Sequence, residues 1–142
     1  MFDKILAAVD GSTNSDRALE AAARLAGLEG AELVVCHAFT IPEQYKTDLV
    51  DELEEGLVAD AEAILSHAVR RAAKTGVEAG SRLLREGPPA DAVASAAREW
   101  GADLIVAGVR GRTPDESRPM GSVSRAIVEC APCSVLLVRR RV

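Results

Sequence analysis

Aromatic side chains make up only 3% of this 142-residue chain. That scarcity argues against single-stranded nucleic-acid binding by base stacking, which needs exposed aromatic platforms. Positive charge is in the minority: 17 Lys and Arg against 22 Asp and Glu leave a formal charge of −5. Generic binding to DNA or to an anionic membrane is therefore disfavoured. No apolar run approaches the roughly 18 residues that a membrane-crossing helix needs. Three cysteines, an odd number, do not make a disulfide framework. Met1-Phe2-Asp3-Lys4 leads into a short strand rather than a cationic segment and a longer apolar one, so no signal peptide is expected and a cytosolic home is the default. Two phosphate-binding signatures are also missing. The lysine-bearing phosphate loop does not follow the first strand, and Gly11 has no glycine two residues on, so the dinucleotide fingerprint is absent there.

What is present suits one globular domain spanning residues 1–142. Hydrophobic residues are 48% and charged residues 27%, the mix of an ordinary globule. Ile5 to Val9 is a continuous apolar run closed by Asp10-Gly11-Ser12, which reads as a buried strand and a turn. A helix is expected from Asn14 or Ser15, either of which can cap it, with Gly27 and Gly30 marking its end. Leu33 to Phe39 reads as the second strand. From about Asp48 to Thr75 the stripe Leu49, Leu53, Leu57, Ala61, Ile64, Ala68 and Ala72 predicts a long helix, with Gly56 a point where it could break. Val77, Ala79, Ser81 and Leu83 alternate with polar or small neighbours, as expected of an edge strand. Pro88-Pro89 opens a third helix and Gly101 ends it. Leu104 to Ala107 is the fourth strand, Val123 to Cys130 the fourth helix, and Val135 to Val138 the fifth strand. Such alternation predicts a doubly wound α/β fold, a five-stranded parallel sheet with helices on both faces. Ligands of such sheets sit beyond the C-terminal strand ends where the winding reverses.

One segment stands out. Gly108-Val109-Arg110-Gly111 is followed, after nine residues, by Gly121-Ser122. A strand, a glycine-bearing loop and a helix N-terminus form a cradle for phosphate, because backbone N–H groups approach the anion unobstructed and the helix dipole favours negative charge. Arg110, Arg112, Arg118 and Arg125 lie in or beside this segment, and Arg110 and Arg112 stand closest to the suspected phosphate loop. Ser122 and Ser124 fall on the first helical turn. Their hydroxyls would donate to phosphate oxygens, and Ser122 could equally cap the helix. Asp10, just past the first strand, could bind ribose hydroxyls or hold magnesium through water, or could simply cap its turn.

Other constellations are weaker. Cys130-Ala131-Pro132-Cys133 has redox spacing but ends a helix, whereas a thioredoxin-like pair starts one. His37 and His67 belong to different elements and lack a third ligand, which argues against zinc. The acidic run Asp48 to Glu55 reads as a solvated helix face. No serine or cysteine nucleophile is paired with an arranged histidine and acid.

In order along the chain, Lys4-Ile5-Leu6 with Val9-Asp10-Gly11-Ser12, Ala31-Glu32-Leu33 through His37, Gly101 to Val106, Gly108-x2-Gly111-x9-Gly121-Ser122, and Ala131-Pro132-Cys133 with Val135 to Val138 resemble the universal stress protein family, in its ATP-binding branch. The resemblance covers essentially the whole chain. It implies strand order 3-2-1-4-5 and a homodimer formed through the last strands, Val135 to Val138. It further implies ATP as ligand, with magnesium near Asp10. The implied contacts are Val9, Asp10, Gly11 and Ser12 after the first strand, Ala38 reading adenine through its backbone, and Gly108, Val109, Arg110, Gly111, Arg112, Gly121, Ser122, Val123 and Ser124 around the phosphates.

The resulting expectation is a stress-response regulator or partner-binding module with slow ATP hydrolysis at most, acting on regulatory protein partners that the sequence does not name. One alternative is a dimeric interaction protein of the same fold without nucleotide. Another is an adenylating enzyme of a related fold, which would need a more elaborate phosphate loop than Asp10-Gly11-Ser12-Thr13. A phospho-receiver domain fits poorly, since Glu86 and Arg139 occupy the places of its aspartate and lysine.

Overall fold

A computed structural model of the chain describes residues 1–39, 50–84, 88–110 and 120–140, and among these the side chains of 50–53 and 83 are not described. Five strands alternate with four helices: β1 (Lys4–Ala8), α1 (Thr13–Glu29), β2 (Glu32–Ala38), α2 (Val50–Lys74), β3 (Ala79–Leu84), α3 (Pro89–Trp100), β4 (Leu104–Gly108), α4 (Ser122–Cys130) and β5 (Ser134–Val138). All pairings are parallel, in the order β3-β2-β1-β4-β5. Winding runs outward from β1 in one direction, then returns to its other side as β4. The reversal therefore falls between β1 and β4, where Ile5, Leu6 and Ala7 pair with Leu104, Ile105 and Val106.

The apolar runs of the central strands are continuous because both sheet faces are covered. Ile5, Ala7, Leu33, Val35, Leu104 and Val106 point to a core closed by α1 and α2. Their neighbours Leu6, Cys36, Ile105 and Ala107 point to a second core, under α3 and α4. Helices approach the sheet closely because their buried faces are small: Ala18, Ala22, Ala23 and Ala26 on α1, and Ala90, Ala94 and Ala97 on α3. Leu6 and Ile105 are completely buried, and truncating either to alanine would cost about 2–5 kcal/mol.

Several expected boundaries move. Ser12, not Asn14 or Ser15, caps α1: its Oγ accepts the Ser15 N–H at 3.1 Å. Ser15 is instead buried, donating to the Ser12 carbonyl and accepting from the Asp10 N–H. A hydroxyl one turn earlier satisfies the same orphan donors, so the helix starts sooner. Gly27 lies inside α1, and only Gly30, at φ 67°, forms the cap. Helix α2 runs through Gly56 without a break, and its buried stripe is Ala61, Leu65, Ala68 and Ala72, with Ile64 at the margin. Leu49 and Asp48 lie outside the described residues. Pro88 and Pro89 open α3 as expected, and Gly101 closes it. β3 and β5 are the two edges.

Candidate functional site

Beyond the C-terminal ends of β1, β2 and β4 lies a cleft of about 300 Å³. Its floor is Ala8 and Val9 from β1, Cys36 to Ala38 from β2, and Ala107 and Gly108 from β4; Pro89 and Val93 of α3 form one wall. The opposite wall is Gly121, Ser122, Val123, Ser124 and Ile127 at the start of α4, with Asp10 and Arg110 on the rim loops.

The N-terminus of α4 is what gives the cleft an electropositive end. Its cap residue is Gly121, which has no side chain to return to the helix, so Ser122 is the first helical residue rather than the cap. The carbonyl of Gly121 accepts from the Arg125 N–H, while its own N–H donates to the Val109 carbonyl at 2.9 Å. That last bond, with Val109 N–H to Val138, ties α4 to the end of β4. The N–H groups of Ser122, Val123 and Ser124 have no partner among the described residues. Three such donors converging at a helix N-terminus are an anion site in waiting. No acidic residue stands in that first turn to compete.

The two serines of this turn differ. Ser122 is exposed at the cleft. Ser124 is buried, and its hydroxyl donates to the Gly108 carbonyl at 2.7 Å. The expectation that the Ser124 hydroxyl donates to phosphate is therefore corrected: its proton is committed to β4, and only its backbone N–H remains for an anion. Gly108 has a packing reason of its own. A Cβ there would lie 3.1 Å from the Arg110 carbonyl oxygen and 3.3 Å from Asn14 of α1. The close approach of α1, rather than access for a ligand, demands glycine at this point.

Asp10 follows β1. Its Oδ1 accepts the Ser12 N–H at 2.9 Å, which fixes the carboxylate on the cleft rim. Gly11 sits between them at φ 83°, a left-handed conformation that glycine adopts without strain. Turn-capping and ligand-facing roles for Asp10 thus coexist.

Of the candidate contacts, the cleft brings together Val9, Asp10, Ala38, Gly108, Arg110, Gly121, Ser122, Val123 and Ser124. Gly11 and Ser12 form the turn behind Asp10, and Val109 is buried behind the wall. Gly111, Arg112, Arg118 and Glu86 lie outside the described residues. Arg125 is exposed on α4 and does not line the cleft. Sequence reasoning missed His37, considered only as a metal ligand. It lines the cleft, and its Nδ1 lies 2.7 Å from the Val9 carbonyl. The available signal was a lone ring with hydrogen-bonding nitrogens at the end of an apolar strand.

Thiol chemistry has no foothold here. Burial pushes the Cys36 thiol up to about 12. Burial also raises Cys133, and Cys130 donates its S–H toward the Ala90 carbonyl at 3.6 Å. Reactive cysteines need the reverse, a stabilised thiolate. Among the described residues no group of three or more His, Cys, Asp or Glu could hold a metal ion, and no helix is long and apolar enough to cross a membrane.

A parallel sheet with its cleft at the winding reversal places the chain among the doubly wound α/β proteins. Within that class its sequence is specific. The model of the universal stress protein family matches residues 1–139. A universal stress protein of Thermus aquaticus is 40% identical over 140 residues, covering 98% of this chain and all of the relative. Another, YxiE of Bacillus subtilis, is 34% identical over 153 residues, with 98% and full coverage. The chain belongs to the universal stress protein family. Among solved structures, a universal stress protein in complex with cAMP superposes with a TM-score of 0.76 at 29% identity, covering 96% of this chain and 97% of the other. One from Archaeoglobus fulgidus, in complex with dAMP, gives 0.69 at 27% identity with 96% and 97% coverage.

Proposed function

We propose that this protein binds ATP in the cleft at the β1/β4 reversal, acting as a nucleotide-dependent regulator or partner-binding module in the stress response, with slow hydrolysis at most. The observation that carries the reading is the N-terminus of α4, whose first three N–H groups face an open cleft with neither a side-chain cap nor an acidic residue beside them. Binding of cAMP and of dAMP by the two relatives supports an adenine nucleotide as the cargo class.

The layout assigns the parts of the ligand by charge. Phosphates belong at α4, near Arg110, where donors and positive charge lie. A carboxylate repels phosphate and accepts from hydroxyls, so the ribose belongs at Asp10. The base then reaches the end of β2, at Ala38. Magnesium bound with the triphosphate would neutralise its charge, and Asp10 would hold it through water.

A homodimer through β5 and a cytosolic location complete the proposal. β5 is an edge strand of Val135 to Val138 without a charge, and Leu136 is 40% exposed. Pairing two such edges covers unpaired backbone groups that would otherwise invite aggregation.

The test is calorimetric titration of ATP into the wild type and Gly121→Val. A β-branched side chain at the cap would crowd the phosphates. Loss of binding in the variant, with an unchanged circular dichroism spectrum, is expected. Unchanged affinity contradicts the site. Mass spectrometry of small molecules released from the gently denatured protein identifies the natural adenylate.

A further inference from the structure

The end of β2 departs from a regular parallel ladder in one place. Val9 donates its N–H to the Cys36 carbonyl at 2.9 Å. In a regular ladder the next bond would run from the Ala38 N–H to the Val9 carbonyl. That bond is not formed among the described residues. The Val9 carbonyl is taken instead by the His37 imidazole, at 2.7 Å. A carbonyl oxygen only accepts, so Nδ1 carries the proton, and in the neutral ring Nε2 is a bare acceptor.

Two consequences follow at the same spot. The Ala38 N–H is released from the sheet as a free donor. His37 is only 8% exposed, yet it lines the cleft, and its Nε2 has no partner among the described residues. Nor does Nε2 figure among the fully occluded unsatisfied atoms, so it opens onto the cleft. A buried polar nitrogen without a partner is costly unless something supplies one. Here the ligand would.

We infer that His37 is a specificity-determining residue that selects 6-aminopurines, its Nε2 accepting from the exocyclic amino group while the Ala38 N–H donates to the adjacent ring nitrogen. An acceptor beside a donor matches the edge of adenine, which offers an amino donor next to an unprotonated N1. The 6-oxopurines, hypoxanthine and guanine, present the reverse: a carbonyl at position 6 and a protonated N1. Against them both groups are mismatched, acceptor to acceptor and donor to donor. Discrimination by a site built to pair polar groups is strong because the wrong ligand leaves buried groups unpaired. This inference rests on the proposed placement of the base at the end of β2.

ATP and ITP differ at this edge alone, which makes them the probes. The wild type is expected to bind ATP at least about tenfold more tightly than ITP, as two mismatched hydrogen bonds require. His37→Asn keeps an amide N–H near Nδ1 to hold the Val9 carbonyl and has nothing at the position of Nε2. Calorimetry on this variant should show weaker ATP binding and an ATP-to-ITP ratio close to one. A purely structural role for His37 would weaken both nucleotides alike and leave the ratio unchanged, which overturns the inference. Wild-type protein that binds ATP and ITP equally overturns it as well, while leaving the phosphate site standing. Failure to bind either nucleotide overturns both this inference and the reading beneath it. Should His37→Asn not fold, 15N spectra of the wild-type imidazole decide. Nε2 should move from the range of an unbonded acceptor into the hydrogen-bonded range on saturation with ATP and not with ITP. An unmoved Nε2 in the ATP complex refutes the assignment.

Discussion

Ser122 and Ser124 stand two residues apart on the same helical turn, and truncating each should damage a different property. Ser124 is 5% exposed, and its hydroxyl makes the one hydrogen bond that the Gly108 carbonyl receives among the described residues. Ser124→Ala removes that donor and leaves a carbonyl stranded at the junction of β4, α1 and α4. The cost of an unsatisfied buried acceptor is about 1–3 kcal/mol. For a domain of this size, 1 kcal/mol corresponds to roughly 2–4 °C in Tm. A fall of about 4–8 °C is therefore expected for a mid-range cost of ~2 kcal/mol. The backbone N–H of residue 124 survives the substitution, so ATP affinity, corrected for the folded fraction, should change little. Ser122→Ala should behave oppositely. Its side chain is exposed, caps nothing and touches no described partner, so Tm should stay within about 1 °C, as for most surface substitutions. Affinity should fall by roughly threefold to tenfold as one neutral hydrogen bond to phosphate is lost. Thermal denaturation and calorimetry on the two variants make the test. A stable Ser124→Ala, or a destabilised Ser122→Ala, would refute the division of labour between the two hydroxyls.

Other expectations follow from the same geometry. Gly108→Ala should lose about 1–3 kcal/mol in urea denaturation, because the new methyl meets backbone of Arg110 and Asn14 at 3.1–3.3 Å; a neutral outcome would mean that α1 is free to retreat. Gly11→Ala, forced to φ 83°, should cost about 1–2 kcal/mol and loosen the Asp10 turn, read as a lower Tm together with weaker ATP binding. Asp103 accepts from the Asp3 and Lys4 N–H groups at 2.8 and 3.1 Å, and the Asp3 bond above all holds its carboxyl below the ordinary range. A depressed folded pKa stabilises above the unfolded value, and that stability disappears as pH falls through the folded value. Asp103→Asn should therefore flatten the acid limb of the stability curve and leave the slope above neutrality unchanged. Leu136→Lys, which puts a charge on the open β5 edge, should shift sedimentation from dimer to monomer; a wild type that is already monomeric contradicts the β5 pairing.

The architecture was readable because its signals are local and mutually consistent. Uninterrupted apolar runs such as Ile5 to Val9 mark strands covered on both faces, and Gly30 and Gly101 sit at left-handed helix ends. The resemblance supplied the order in which those strands lie, and the order fixes the β1/β4 reversal and with it the cleft. What escaped the sequence depends on side chains choosing between competing partners. Nothing local says that Ser12 rather than Asn14 caps α1, since each can satisfy the same donors. Ser124 looked like a phosphate ligand because its neighbour is one turn from solvent, but helical rotation turns it inward onto Gly108. His37 was passed over for a similar reason. Its significance lies in a missing ladder bond between β1 and β2, which exists only once the strands are in register.

The central claim is that the backbone at the start of α4 receives phosphate. Backbone amide spectra recorded during titration with ATP, and in parallel with adenosine, test it most directly. The account predicts saturable shifts at Ser122, Val123 and Ser124 with ATP that adenosine does not reproduce, alongside shifts at Ala38 with both. Nucleotide binding that leaves the three α4 amides unmoved would contradict it.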